Sequence, residues 1–275
     1  MPDTVTLAEP HNYFRLLDHA AMSHWWGRSI EYVERRWLRH ALRVSGSASP
    51  IRRDWLDIGC GTGTRLRQWS DWGCWNRLVG VEPEDVAFQV RSKDTSLEIH
   101  TGGLPDLPVL GTRFHVITAF DVLQHVAPDL REASIRSMTR QLHDLGILLL
   151  RTNAPPISKT SGRDQTIVDP SWLRRSLAAA GLKVVRSSRF NLCGGIAEDV
   201  LRGIRRRVRR TENQGPPRIG LPQSWNRRPA GHFLAAWCGY AESRILGTGL
   251  VNFPFGHSYL IMAIKDGDHD RAANG

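Results

Sequence analysis

The sequence predicts an α/β fold in which strands and helices alternate around one buried sheet, and three stretches carry that prediction. Trp55-Leu56-Asp57-Ile58 is an apolar run broken only by Asp57, and it leads directly into Gly59, Gly61 and Gly63. A second apolar run, Leu78 to Val81, ends in Glu82. A third, Phe114 to Ala119, is apolar at most positions, as expected of a strand covered on both faces. A glycine-rich turn lets the backbone approach a ligand closely, and a carboxylate at the tip of the neighbouring strand can accept hydrogen bonds from ribose hydroxyls. Together they outline a nucleoside-binding frame, although glycine turns between strand and helix are common and carry little alone.

Composition sets the outer limits. With 275 residues, 41% hydrophobic and 23% charged, the chain suits one α/β domain with an elaboration or small cap. The net charge of +10 favours anionic partners, namely phosphorylated substrates, acidic glycans, a membrane surface or nucleic acid. A solvated arginine-rich surface explains the same charge. Cys60, Cys74, Cys193 and Cys238 show no C-x-x-C spacing, so no metal site and no dithiol redox motif is expected. The N-terminus lacks the basic-then-apolar pattern of a signal peptide, and no apolar run is long enough to cross a bilayer. A cytoplasmic protein with free thiols is the expectation.

The elements follow in order. Val33, Trp37 and Ala41 recur at helical spacing and mark a buried face. Ahead of them, Trp25 and Trp26 either lid a ligand pocket or pack the helix onto the sheet. Gly46 to Pro50 reads as a linker, and strand one as Asp54 to Ile58. A helix runs from Thr64 toward Trp72 with Leu66 and Trp69 inward, stopped by Gly73. Glu84-Asp85 open the next helix, and Leu97 to His100 form a short strand. Gly102 to Pro108 is a proline-fixed turn. Phe120 and Asp121 fall at the carboxyl end of strand four, where open α/β sheets place ligands. Pro128 opens a helix to about Leu142, and strand five is Ile147 to Leu150. Ala154 to Thr166 is loop-like, the helix from Pro170 ends at Gly181, and strand six is Leu182 to Phe190. Roughly 65 residues, Leu192 to Gly256, separate it from the last strand, Ser258 to Ile264. This insertion holds a basic amphipathic run, Val200 to Arg210, suited to an anionic membrane surface, to phosphates, or simply to solvent. It also holds a helical pattern, His232 to Leu246, with Phe233, Trp237 and Tyr240 on one side.

Several of these strings resemble one family. Asp57 to Gly63 is similar to motif I of class I S-adenosylmethionine (SAM)-dependent methyltransferases. Thr64 stands where a dinucleotide-binding loop would carry its last glycine. Gly102 to Pro108 resembles the G-x-L-P-x-L-P turn of the family, and Asp121 to Val126 its D-V-L-E-H-V segment with Gln124 in place of glutamate. His24-Trp25-Trp26 and Pro254-Phe255-Gly256-His257-Ser258 resemble segments of a bacterial subgroup, with Ile30-Glu31 where that subgroup has an arginine pair.

The resemblance implies a Rossmann-like, seven-stranded, mostly parallel sheet with its final strand antiparallel. It implies an N-terminal helical cap at 1–50, a SAM-binding core at 51–191, a basic helical insertion at 192–256, the last core strand at 257–266 and a disordered tail at 267–275. SAM is the implied cofactor and S-adenosylhomocysteine the product. Asp57, Gly59, Cys60 and Gly61 would surround the methionine and sugar, and Glu82 with Pro83 the ribose. Gly103 and Leu104 would border adenine, Phe120 and Asp121 would close the methionine end, and Arg28 would meet a carboxylate. His125 is the candidate general base, ahead of His24 and Asp164. The implied reaction is O-methylation of a small molecule or a glycan- or lipid-linked sugar in a bacterial biosynthetic pathway. Peripheral contact with an anionic membrane through 200–210 fits such an acceptor, and nucleic acid does not. A SAM- or nucleotide-binding module without methyl transfer is the alternative, and an NAD-dependent oxidoreductase is disfavoured by the loop spacing.

Overall fold

The computed structural model describes residues 24–44, 52–72, 74–83, 97–155, 167–191 and 229–267. Helix α1 spans Trp25–Val44, followed by β1 (Arg53–Ile58), α2 (Thr64–Ser70), β2 (Trp75–Glu82), β3 (Glu98–Thr101) and β4 (Phe114–Phe120). Then come α3 (Arg131–Gln141), β5 (Leu142–Asn153), α4 (Pro170–Ala179), β6 (Leu182–Phe190), α5 (Pro229–Thr248) and β7 (Ser258–Lys265).

The seven strands form one sheet in the order β3-β2-β1-β4-β5-β7-β6. β1 to β5 run parallel, and β7 lies antiparallel between β5 and β6. Strand order reverses between β1 and β4, the kind of switch point at which open α/β sheets bind ligands in the crevice outside the carboxyl ends of the strands. Alternation of side chains divides the core. Trp55, Val116, Leu149, Leu260 and Met262 face one layer, and Leu56, Ile117, Leu148, Ile261 and Ala263 face the other.

The first layer is built on tryptophan. Trp55, Trp69 and Trp75 are buried and form one cluster with Trp72, with neighbouring ring centroids 4.8–5.9 Å apart. A buried indole N–H needs an acceptor, and each has one. Trp55 Nε1 donates to Thr118 Oγ1, Trp69 Nε1 to Glu31 Oε1 and Trp75 Nε1 to the Trp69 carbonyl, at 2.8, 3.0 and 2.8 Å.

Helix α1 buries the expected face, with Val33, Trp37 and Ala41 at 1%, 0% and 5% exposure. Its partner is α5, and Trp37 Nε1 donates to the Leu246 carbonyl of that helix at 3.0 Å. Trp237 and Tyr240 of α5 are exposed, and Gly239 and Leu246 meet α1. The reason is close approach. A Cβ on Gly239 would lie 2.5 Å from the Trp25 ring, and one on Gly247 would lie 2.7 Å from Tyr32. Gly239→Ala is therefore expected to lower the melting temperature by an amount equivalent to about 1–3 kcal/mol of overpacking. Helix propensity alone would raise it. An unchanged or higher midpoint in scanning calorimetry would contradict the contact.

Several boundaries differ from the sequence expectation: β2 starts at Trp75 rather than Leu78, β5 runs on to Asn153, and α5 extends beyond 232–246 at both ends. β5 starts at Leu142 rather than Ile147, because Leu142 pairs with Phe114 ahead of a register shift. Pro128 opens a 3-10 turn, Pro128–Leu130, and the α-helix begins only at Arg131. The expected α4 start is as read. Asp169 accepts from the Ser171 and Trp172 amides at 3.1 and 3.2 Å, with Pro170 as the first helical residue. The Gly46–Pro50 linker, Gly73, Glu84-Asp85, Asp164, the basic run at 200–210 and the tail from 268 lie outside the described residues. Among those described, no helix is long and apolar enough to cross a membrane.

Candidate active site

The site grows from the β1–α2 loop. Gly59, Gly61 and Gly63 take φ of 69°, 56° and 76°, the left-handed region that side chains disfavour. The Gly59 amide donates to the Val81 carbonyl at 2.8 Å, tying the loop to the end of β2. The Gly61 amide donates to Glu82 Oε2 at 2.7 Å. The acidic tip and the glycine loop thus meet directly. Burial pushes the Glu82 carboxyl up, and the Gly61 N–H opposes that shift. One N–H uses part of what a carboxylate can accept, so capacity remains for further donors. The space that a Cβ would enter at Gly61 or Gly103 is empty to 4 Å.

Asp57 sits under the loop at 3% exposure. Thr118 Oγ1 donates to Asp57 Oδ1 at 2.6 Å and itself accepts from Trp55, a relay across β1 and β4. Burial pushes the Asp57 carboxyl up to about 7, against the pull of the Thr118 hydrogen bond. The folded chain therefore holds a proton on Asp57 that the unfolded chain releases above its usual value of 3.8. Its contribution to stability is full below that value, falls as pH rises, and is gone above about 7. Asp57→Asn should flatten this slope. It should make the protein more stable than wild type at pH 8, by up to about 4 kcal/mol, and little different near pH 4. Denaturant melts at both pH values check it, and parallel pH slopes for the two proteins would contradict it.

The carboxyl ends of β4 and β5 carry a buried ion chain that sequence reading missed. Arg151 donates to Asp121 Oδ2 from Nε and Nη2, at 3.0 and 2.6 Å, and to Glu34 of α1 from Nη1. Arg65, on the first turn of α2, lies 3.0 Å from the other Glu34 oxygen. Burial alone would lower the Arg151 pKa, but Asp121 and Glu34 outweigh it and hold the guanidinium charged. Trp26 and Phe120 lie against Arg151 at 5.4 and 5.2 Å, which favours a cation. The two adjacent tryptophans that open α1 therefore divide their roles. Trp25 packs against Gly239 of α5, and Trp26 reaches the site.

The remaining candidates sort as follows. Cys60 is buried, and burial pushes its thiol up, so it fills space. Leu104 packs against the second core cluster, and Pro83 is exposed. Gln124 is buried, and its Oε1 accepts from the Asn153 amide at 2.8 Å, tethering the 3-10 turn after β4 to the end of β5. His125 follows on that turn and is exposed. His24 Nδ1 accepts from the Trp26 amide at 3.3 Å. Arg28 is exposed on α1, and the cations that close on the tip of β4 are Arg65 and Arg151 instead, because Glu34 draws both inward. One signal for Glu34 was present, since it shares the apolar spacing of Ile30, Trp37 and Ala41. A groove of ≈ 180 Å³ between α3 and α4, lined by Glu132, Arg136, Trp172 and Arg175 among others, shares no residue with the glycine loop. No group of three or more potential metal ligands occurs among the described residues.

A doubly wound sheet of this order, with a glycine loop and an acidic tip at its switch point, defines a Rossmann-like nucleoside-binding protein of the methyltransferase type. The chain belongs to the methyltransferase-domain family, whose model matches residues 29–187. It is a class I SAM-dependent methyltransferase by family, and SAM is its cofactor. No curated protein matches the sequence. Among solved structures, the fold is similar to a SAM-dependent methyltransferase from Archaeoglobus fulgidus, at 16% identity and TM-score 0.50, covering 92% of this chain and 100% of that one. It is similar to a candidate sarcosine dimethylglycine methyltransferase from Galdieria sulphuraria, at 13% identity and TM-score 0.52, covering 84% of each. It is also similar to the candidate methyltransferase complexed with the Haloferax volcanii Trm112 methyltransferase activator, at 17% identity and TM-score 0.50, covering 90% and 97%. At these identities the likeness establishes the fold.

Proposed function

We propose that this protein transfers the methyl group of SAM to a hydroxyl of a small molecule or of a glycan- or lipid-linked sugar, in a bacterial biosynthetic pathway. The observation that carries the cofactor half is the buried Glu82 carboxylate meeting the Gly61 amide at the carboxyl ends of β1 and β2. In this reading Glu82, with Pro83 beside it, takes the ribose hydroxyls. The backbone of Gly59, Cys60 and Gly61 lines the sugar and methionine, with Asp57 beneath. Gly103 and Leu104 border adenine, and Phe120 and Asp121 close the methionine end. The open space beside Gly61 and Gly103 leaves the backbone there approachable, which supports this reading.

When bound, SAM supplies a methyl carbon already activated by the sulfonium. The chain has to orient the acceptor in line with that carbon and exclude water. Trp26 and Phe120 provide apolar surface at that end, and the Arg151–Asp121 pair provides fixed charge. His125, exposed just past the tip of β4, is placed to take the proton of an acceptor hydroxyl. We further propose the division into a 51–191 core completed by β7, with the 1–50 cap and the 192–256 insertion meeting through α1 and α5 as its cover. The His-Trp-Trp segment, through Trp26, supports membership of the bacterial subgroup. The excess of positive charge supports an anionic, phosphate-bearing acceptor or membrane surface.

Calorimetric titration with SAM, S-adenosylhomocysteine and NAD tests the cofactor reading, with binding of the first two and none of the third expected. Radiolabelled methyl transfer from SAM into sugar and small-molecule acceptor pools tests the reaction. Binding without transfer to any hydroxyl acceptor would favour a module that holds SAM without turnover.

A further inference from the structure

We propose that Glu34 is a positioning residue for methyl transfer. From helix α1 it holds the Arg151 and Arg65 guanidinium groups, and through Arg151 it sets the Asp121 carboxylate at the tip of β4. This rests on the reading of the β1–β4 crevice as the SAM site.

Four observations carry it. Glu34 is 0% exposed, and a carboxylate is not buried without strong partners. Its partners come from separate elements that meet at the crevice, Arg151 at the end of β5 and Arg65 in the helix that follows the glycine loop. Asp121 is held at two points, since its amide donates to the Arg151 carbonyl at 2.9 Å and its carboxylate takes the Arg151 guanidinium. With this double hold Asp121 sits at φ 61°, a left-handed conformation uncommon for residues with a side chain, though less so for aspartate. Exposure rises along the chain, with side chains at 0% for Glu34, 8% for Arg151 and 34% for Asp121, so the accessible member is the one at the crevice.

The charges balance as two guanidinium groups against two carboxylates. Removing the Glu34 charge releases the Nη1 side of Arg151, and the Asp121 carboxylate held by the same guanidinium shifts with it. Buried ion pairs add little net stability compared with apolar packing, so a burial this complete points to placement rather than to stability. Glu34 Oε2 faces Arg65 at 3.0 Å without hydrogen-bond geometry, so that contact is purely ionic and depends on charge.

The test is SAM affinity by calorimetry in Glu34→Gln, Glu34→Asp, Asp121→Asn and the Glu34→Gln/Asp121→Asn double variant. Leu38→Ala is the control, since Leu38 is buried on the same helix and makes none of these ion pairs. Glu34→Gln should weaken SAM binding about tenfold, Glu34→Asp should recover part of the loss, and the double variant should bind no worse than Asp121→Asn alone. Leu38→Ala should lower the melting temperature and leave SAM affinity within about twofold. Wild-type affinity in Glu34→Gln, losses that multiply in the double variant, or an equal loss in Leu38→Ala would overturn this inference alone. Absence of SAM binding by the wild-type chain would overturn the site reading and this inference with it.

Discussion

Glu82→Ala is expected to weaken SAM binding by at least about 100-fold, because hydrogen bonds to a charged acceptor are worth about 1.5–3 kcal/mol each and two ribose hydroxyls would lose theirs. Part of the loss arises differently. Glu82 also receives the Gly61 amide at 2.7 Å, so alanine frees the loop as well as emptying the ribose contact. Glu82→Gln separates the two effects, since its amide oxygen still accepts from Gly61 but the charge is gone. It should bind SAM more weakly than wild type and more tightly than Glu82→Ala. Equal affinities for wild type and Glu82→Ala by calorimetry would remove the acidic tip from the site.

Arg151→Met is expected to destabilise the fold by about 3–5 kcal/mol, the cost of leaving a buried carboxylate without its principal partner. Glu34 is wholly buried, and burial already pushes its carboxyl up against the pull of Arg151 and Arg65. Without Arg151, only the Arg65 contact remains to offset that burial. For a chain of this size the loss corresponds to a fall in melting temperature of roughly 10 °C. A second substitution, Glu34→Gln, removes the stranded charge and should recover most of it, so the double variant should melt well above Arg151→Met. Additive losses in the two single and the double variants, read from denaturant melts, would show that the two side chains are not energetically paired.

What the sequence made legible was local. The glycine spacing after β1, Glu82 at the end of β2 and the doubly covered run of β4 are each contained in a few consecutive residues, and each stands where its spacing put it. The ion chain was not legible in the same way. Glu34 and Arg151 are 117 residues apart, and a glutamate among arginines on a helix reads as surface charge until the apolar spacing around it is weighed. The pairing of α1 with α5 was hidden for a related reason. The aromatic residues of α5 suggest the face that packs, but small residues decide it, since Gly239 and Gly247 admit the rings of Trp25 and Tyr32. Arg28, which the resemblance sets against a carboxylate, is exposed on α1. Helical geometry turns it outward, while Trp26 and Glu34 face in.

The claim on which the rest depends is that the β1–α2 loop and Glu82 hold the adenosyl part of SAM. A crystal structure of the protein with S-adenosylhomocysteine measures it most directly. The account predicts both ribose hydroxyls within about 3 Å of the Glu82 carboxylate and the sugar against the backbone of Gly59 to Gly61. Adenosyl density elsewhere on the chain, or a Glu82 carboxylate still bound only to the Gly61 amide with the ribose out of reach, would contradict it.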